Sequence, residues 1–112
     1  MKPEVKKAWV KALRSGKYRK GKEYLKREIA KDQLRYCCLG VLCETQGARM
    51  RVRKRPWDEA KTYEVGGDAG YLPESYQRRY GVSSTVMNAL VELNDKKSWS
   101  FNRIATWIEK NL

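Results

Sequence analysis

The cysteines are the first of the few side chains in this sequence that could carry out chemistry. Cys37, Cys38 and Cys43 lie within seven residues, in a chain that contains no histidine. Without histidine the chain lacks the commonest general base and the commonest metal ligand. A structural zinc site needs four Cys or His ligands, so three cysteines disfavour one. We therefore expect three reduced thiols that pack as small hydrophobic groups, with a redox role as the alternative.

A second candidate for chemistry is a short charged segment near the middle of the chain. Asp58, Glu59 and Lys61 include the Glu-x-Lys end of a metal-dependent nuclease motif, in which carboxylates hold Mg²⁺ and the lysine steadies the attacking water. The motif also needs an aspartate on a neighbouring strand of a mixed sheet, and Asp32 is a poor candidate for that position. We predict that the protein is not an enzyme, holds no metal and needs no cofactor.

The strongest feature of the sequence is its excess of positive charge. The 112 residues include 25 Lys and Arg against 13 Asp and Glu, which gives a net charge of +12. Residues 1–35 carry +9 of this charge and residues 49–61 carry +4, whereas residues 62–112 are neutral. Basic side chains placed against phosphates release condensed counterions, so such a surface binds polyanions without sequence preference. An acidic mimic of DNA is excluded.

We predict that the basic residues of these two segments form one face that binds nucleic acid or another phosphate-rich ligand. Tyr18, Tyr24, Trp57 and Tyr63 lie among them, and such rings can stack on unpaired bases. A pocket for a small anionic nucleotide is a variant of this hypothesis. The predicted binding residues are Lys6, Lys7, Lys11, Arg14, Lys17, Tyr18, Arg19, Lys20, Lys22, Arg49, Arg51, Arg53, Arg55 and Trp57.

Helical periodicity accounts for most of the apolar residues. The stretch Tyr36–Gln46 is apolar nearly all round and stops at Gly47, which predicts a buried helix ended by a left-handed glycine. An amphipathic helix is predicted to run from Pro3 to Ser15-Gly16, with lysines on its outer face. Further helices are predicted from Leu72-Pro73-Glu74 to Gly81, from Ser83 or Ser84 to Asn94-Asp95, and from Ser100 to the end of the chain.

One β-hairpin is predicted between these helices. Within Arg49–Arg55 the residues alternate, so that Met50 and Val52 share one face and the four arginines share the other. Lys61–Val65 can return as the partner strand after the loop Pro56–Ala60. The arginines are therefore expected to point away from the core.

The predicted fold is a single α+β domain over residues 1–112. Four or five helices surround the central apolar helix, and the one basic β-hairpin is inserted among them. Residues 17–35 show mixed patterns that predict an irregular segment, and the glycine-rich run 66–70 predicts a flexible hinge.

Four local patterns are distinctive when they are taken together. They are Trp9-Val10 with Ala12–Tyr18, the block Tyr36–Glu44 with its Cys-Cys-Leu-Gly-Val-Leu-Cys run, the turn Leu72–Ser75, and the ending Leu93–Asp95 with Ser100-Phe101, Ile104-Ala105 and Ile108-Glu109. In these patterns the chain resembles a group of small proteins of tailed phages and prophages. The resemblance covers most of the chain and is weakest over residues 49–65. It implies a phage accessory protein in the host cytoplasm and implies no catalytic residues.

A second hypothesis assigns the basic face to a protein partner. In this case the chain is an interaction module that inhibits a host enzyme or defence complex by docking on an acidic or nucleic-acid-binding surface. Binding to a generic oligonucleotide at two salt concentrations separates the hypotheses, because a target-specific inhibitor should show little of it. A membrane partner is not expected, since no apolar run approaches the roughly 18 residues of a membrane span.

Overall fold

The computed structural model describes residues 1–112, which form five α-helices, a π-helical turn and four β-strands. The α+β class is confirmed. None of the helices is long and apolar enough to cross a membrane. In chain order the elements are α1 (Pro3–Arg14), β1 (Lys26–Ala30), β2 (Gln33–Tyr36), α2 (Cys38–Thr45), β3 (Arg51–Lys54), β4 (Lys61–Glu64), α3 (Glu74–Tyr80), α4 (Ser84–Val91), the π-helical turn (Glu92–Lys96) and α5 (Phe101–Asn111).

The strands form one antiparallel sheet in the order β2-β1-β4-β3, so the prediction of a single inserted hairpin is wrong. The additional hairpin, β1-β2, lies in residues 17–35, whose sequence patterns predict an irregular segment. Its two-residue turn is Lys31-Asp32, and Asp32 adopts a left-handed φ of 62°. Such turns usually contain glycine or asparagine, and a register shift at Ile29 interrupts the alternation further. The sequence therefore lacks the usual hairpin signals here.

The core is built mainly by helices, and α1 and α5 form its most extensive helix pair. Helix α1 packs against α5 and α2, and α2 also packs against α4. All six residues of Cys38–Cys43 are buried. A Cβ atom at Gly40 would lie 1.7 Å from the backbone oxygen of Leu25, so only glycine allows the chain before β1 to approach α2 this closely.

Local sequence signals set the helix ends largely as predicted. The side chains of Ser83 and Ser100 each accept a hydrogen bond from the backbone N–H three residues later, so both serve as N-caps. Gly47 and Gly81 follow α2 and α3 with φ values of 67° and 73°, which are the left-handed conformations that end helices. Tyr36 is an exception, because it pairs with Lys26 in the sheet and α2 begins only at Cys38.

Two further segments add detail to the local predictions. In the run 66–70, predicted to be a flexible hinge, Val65 and Asp68 exchange two backbone hydrogen bonds across Gly66 and Gly67 and so close a tight turn. Val52 lies on the face opposite the arginines of β3 but is 54% exposed, because β3 is an edge strand that pairs with β4 only. Alternation therefore predicts the face on which a residue lies but not how far the core extends beneath it.

The residues Asn94-Asp95, predicted to end a helix, instead lie within the π-helical turn. Asn94 is fully buried, and its amide donates to the backbone oxygen of Gly21 at 2.9 Å while its side-chain oxygen accepts from the backbone N–H of Cys38 at 3.2 Å. Asp95 accepts from the backbone N–H of Glu23 at 3.1 Å. These bonds attach the segment before β1 to the helices, and π-helical insertions of this kind can present such side chains inward.

Candidate nucleic-acid interface

The alternation predicted for β3 is confirmed. Arg51 and Arg53 lie opposite Glu64 and Thr62 of β4, whereas Val52 lies opposite Tyr63. Directly paired residues of an antiparallel sheet share one face, so the two arginines lie on the face of Thr62. Because β3 forms the edge of the sheet, all four of its residues are exposed to solvent.

Two arginines outside the predicted set extend this surface across the whole sheet. Arg27 of β1 lies opposite Thr62 on one side and opposite Arg35 of β2 on the other. The row Arg35, Arg27, Thr62 and Arg53 therefore crosses all four strands, a width of about 14 Å at the usual strand spacing. Arg55 joins the same face, since its guanidinium donates to the Thr62 hydroxyl at 3.3 Å. We call this set the arginine face: Arg27, Arg35, Arg51, Arg53 and Arg55.

The arginine face keeps an excess of positive charge after its internal ion pairs are counted. Asp58 pairs with Arg27 at 3.2 Å, and Glu64 pairs with Arg53 at 3.0 Å. Two carboxylates thus lie among five guanidinium groups, which leaves three positive charges uncompensated on this face. Arg35, Arg51 and Arg55 form no ion pair, so an incoming anion would meet uncompensated charge at these three residues.

The loop between β3 and β4 holds Trp57 beside the arginine face. The backbone N–H of Asp58 donates to the Arg55 oxygen at 3.2 Å, which closes a tight turn with Pro56 and Trp57 at its centre. The Asp58 carboxylate also accepts from the backbone N–H of Ala60 at 3.0 Å, in addition to its pair with Arg27. The Trp57 side chain stands out from this anchored turn and is 80% exposed.

A cleft with a volume of about 560 Å³ lies at the opposite edge of the sheet. The backbone of Arg19 accepts from Tyr36 at 2.9 Å, so the segment after α1 runs alongside β2. Lys17, Arg19 and Arg35 line the cleft, and the ring of Tyr18 meets that of Tyr36 edge-on at 5.1 Å. Because Arg35 belongs to both, the cleft is continuous with the arginine face.

Arg49 lies just before β3 and lines a smaller cleft. This cleft of about 330 Å³ is also lined by Arg51, Glu64 and Tyr76. The cleft lies at the end of β3 that is farther from Trp57, so Arg49 extends the basic surface along the edge strand. Arg49 is exposed and makes no side-chain hydrogen bond or ion pair.

The basic residues of α1 form a separate group. Arg14 pairs with Glu109 of α5, and the ammonium of Lys6 donates to the backbone oxygen of Glu109 at 3.1 Å. The hydrogen bond from Arg14 lowers the pKa of Glu109. Lys7 and Lys11 are exposed and make no hydrogen bond or ion pair. No hydrogen bond or ion pair links these four residues to the arginine face, although one common face is predicted from the sequence.

Lys20 and Lys22 differ from each other in their surroundings. The ammonium of Lys20 donates to the backbone oxygen of Asn94 at 2.7 Å, and its burial, together with the charge of Lys22, lowers its pKa. Lys20 therefore contributes to packing between the pre-β1 segment and the π-helical turn. Lys22 is exposed to solvent.

The list of predicted binding residues omits Arg27 and Arg35, although both lie in the basic segment 1–35. Arg27 lies between Lys26 and Glu28 in a stretch whose alternation is broken at Ile29, and Arg35 lies in a strand of only four residues. Recognition of the β1-β2 hairpin would have found both, because every second residue of a strand shares a face.

The other residues that could carry out chemistry, the cysteines and Asp58, are engaged in core packing or in an ion pair. The three thiols are free and buried, as predicted, and burial raises the pKa of Cys37 to about 11 and that of Cys43 to about 12. Such thiols are poor nucleophiles near neutral pH, because the reactive form is the thiolate. Asp58 is paired with Arg27, and no group of three or more Cys, Asp or Glu side chains is arranged to hold a metal ion.

Comparison with known proteins places the chain in a family. No curated protein and no solved structure shows significant similarity to it. The family model described as "Domain of unknown function (DUF8296)" matches residues 1–112. The match extends over all the elements of the fold, including the sheet and its arginine face. The chain therefore belongs to the DUF8296 family.

Proposed function

We propose that the arginine face binds the phosphates of nucleic acid and that the protein acts without catalysis. The observation that carries this proposal is the row of arginines from three different strands on one exposed side of the sheet. A solvated charge run on a single helix needs no ligand to explain it. Side chains from β1, β2 and β3 that share one face of the sheet form a broader and more specific surface, in which the buried Thr62 lies between Arg27 and Arg53.

Guanidinium groups suit this role for a physical reason. Each presents a planar set of N–H donors that matches two oxygens of a phosphate, and each is charged at every physiological pH. Release of condensed cations from the nucleic acid adds a favourable term that grows with the number of phosphates contacted. The flanking cleft with Lys17 and Arg19 lengthens the positive surface beyond β2.

An accessory role in a phage-infected bacterial cell is part of the proposal and rests on the sequence patterns alone. A small nucleic-acid-binding protein of this kind would act in the host cytoplasm, where its ligands are DNA, RNA or nucleotides. The proposal extends to no catalytic step, cofactor or metal.

One observation favours the alternative of a protein partner. Strand β3 is an unpaired sheet edge with Val52 exposed on it, and such an edge can accept a further strand from another protein. The basic side chains would select an acidic segment of a host protein. This partner would bind the edge and would not need the arginines of β1 and β2.

The experiment compares two variants with the same change in charge. The double variant Arg51→Glu with Arg53→Glu alters the arginine face, and Lys7→Glu with Lys11→Glu alters the exposed side of α1. Binding of a labelled oligonucleotide is measured by fluorescence anisotropy at fixed salt. We expect the arginine variant to lose at least about tenfold in affinity, because hydrogen bonds to charged groups are the strong ones. The lysine variant should lose clearly less.

Equal losses in both variants would mean that net charge alone attracts the nucleic acid. Unchanged binding in the arginine variant, with its circular dichroism spectrum intact, would overturn the proposal and favour the protein partner.

A further inference from the structure

We propose that the ligand of the arginine face is single-stranded and that an unpaired base stacks on Trp57. This inference rests on the proposed function and adds the strandedness of the nucleic acid to it. It follows from the different surroundings of the four aromatic residues that lie among the basic residues of the sequence, namely Tyr18, Tyr24, Trp57 and Tyr63.

Three of these rings are already engaged within the protein. Tyr18 packs edge-on against Tyr36, with the two ring centres 5.1 Å apart. The guanidinium of Arg27 lies 5.1 Å from the ring centre of Tyr24, and the ammonium of Lys26 lies 4.5 Å from that of Tyr63. Cations over these rings occupy the faces on which a base would have to stack.

Trp57 has no such partner. It lies outside the core, it pairs with no other ring or cation, and its indole N–H makes no hydrogen bond. Trp9 shows the opposite condition, since it is fully buried and its indole N–H donates to the backbone oxygen of Cys38 at 2.9 Å. Nothing inside the molecule therefore accounts for a tryptophan at position 57, where any small polar residue would complete the turn.

The surroundings of Trp57 suit a stacked nucleotide. Lys54, Arg55, Asp58 and Glu59 line the cleft of about 600 Å³ that adjoins the indole ring. Because Asp58 is already paired with Arg27, the lining keeps an excess of positive charge for the phosphate of a stacked nucleotide. The turn is anchored to β1 through the ion pair of Arg27 with Asp58. An anchored turn loses little backbone freedom on binding, which favours affinity.

The width of the sheet sets the length of strand that the site can hold. From Arg53 the arginine face extends about 14 Å across the strands to Arg35, and about four stacked nucleotides at roughly 3.4 Å each would cover this distance. In a duplex the base faces between the two terminal pairs are already covered by their neighbours. A duplex can therefore use the arginines but not Trp57.

The test measures the binding of a DNA of about 16 nucleotides, alone and annealed to its complement, at one salt concentration. We expect the wild-type protein to prefer the single strand. Trp57→Ala should weaken single-strand binding by roughly 5- to 150-fold and should leave duplex binding nearly unchanged, because stacking on a ring contributes only to unpaired bases. Trp57→Phe should restore most of the loss. Tyr71→Ala, which removes another exposed ring, serves as the matched control and should change neither affinity.

The outcomes separate this inference from the proposed function. Equal weakening of single-strand and duplex binding by Trp57→Ala would overturn the stacking role, and so would unchanged single-strand binding in that variant. Loss of affinity in the charge-reversal variant would stand in either case. Failure of the wild-type protein to bind either form of DNA or the corresponding RNA would overturn the proposed function itself.

Discussion

Helix α2 and strand β3 are both short, but their residues differ completely in exposure to solvent. The six residues Cys38–Cys43 are buried on every side, whereas all four residues of Arg51–Lys54 are exposed. Packing determines the residue types of α2, since each side chain there meets several others. Of these four side chains only Arg53 has a partner within the molecule, Glu64, and nothing there requires the other three exposed positions to be Arg, Val and Lys. Their chemistry is therefore better explained by an external ligand than by the stability of the fold.

The first way to test this contrast is to remove volume from α2. Leu39 is fully buried, so Leu39→Ala removes apolar contacts and leaves a cavity. We expect a loss of about 2–5 kcal/mol in the free energy of unfolding, measured by urea denaturation. The same experiment on Val52→Ala in β3 should give a far smaller loss, because that side chain is more than half exposed. A loss below about 1 kcal/mol for Leu39→Ala would show that α2 is peripheral.

A second test adds volume to the same helix. In Gly40→Ala the new Cβ atom would overlap the backbone oxygen of Leu25, so α2 and the start of β1 must separate. We expect a loss of about 3 kcal/mol in unfolding free energy. Gly47→Ala is the control, because nothing lies within 4 Å of a Cβ atom there and only its left-handed backbone is strained, at about 1 kcal/mol. Similar losses in both variants would contradict the close approach.

The same contrast explains which parts of the structure could be predicted from the sequence. The helices repeat their apolar residues over long spans and carry caps such as Ser83, Ser100 and Gly81, so their ends lie near the predicted positions. The hairpin β1-β2 could not be recognised, because Asp32 takes the turn position usually given to glycine and a bulge breaks the alternation.

The sequence predicts which residues of a single strand share a face, but it does not predict which strands pair to form the candidate site. Alternation within β3 predicts that Arg51 and Arg53 share a face, and the register with β4 confirms it. That Arg27 and Arg35 join them depends on pairing between strands far apart in the sequence, which local patterns do not contain. Whether the basic residues of α1 join the same face is likewise not contained in local patterns, and two of them, Lys6 and Arg14, bond to α5.

A third prediction uses the pH dependence of stability. The buried thiols have raised pKa values, about 11 for Cys37 and about 12 for Cys43, so above pH 9 the unfolded chain releases thiol protons that the folded protein retains. The contribution of these thiols to the free energy of unfolding is therefore fully present below pH 9. Above pH 9 the free energy of unfolding falls as pH rises, by up to about 1.4 kcal/mol per pH unit for each thiol. Urea denaturation from pH 8 to pH 10.5 measures the slope. In Cys37→Ala the slope should be shallower, and an unchanged slope would show that this thiol is not held neutral.

The smallest expected effect concerns the stability of the arginine face. Arg53 is largely exposed and pairs with Glu64, whose side chain is 15% exposed, and Arg51 forms no ion pair. Because the Arg53 side chain remains mostly in solvent, the pair contributes little, so replacing both arginines with alanine should change the free energy of unfolding by less than about 1 kcal/mol. A larger loss would show that these residues serve the fold.

The salt dependence of binding tests the central claim most directly. The logarithm of the association constant for single-stranded DNA is plotted against the logarithm of the salt concentration for the wild-type protein, for Arg51→Ala and for the control Lys7→Ala. If Arg51 meets one phosphate, its replacement should reduce the slope by roughly 1, while Lys7→Ala should leave the slope unchanged. An unchanged slope in Arg51→Ala, or an equal reduction in Lys7→Ala, would contradict a binding site on the arginine face.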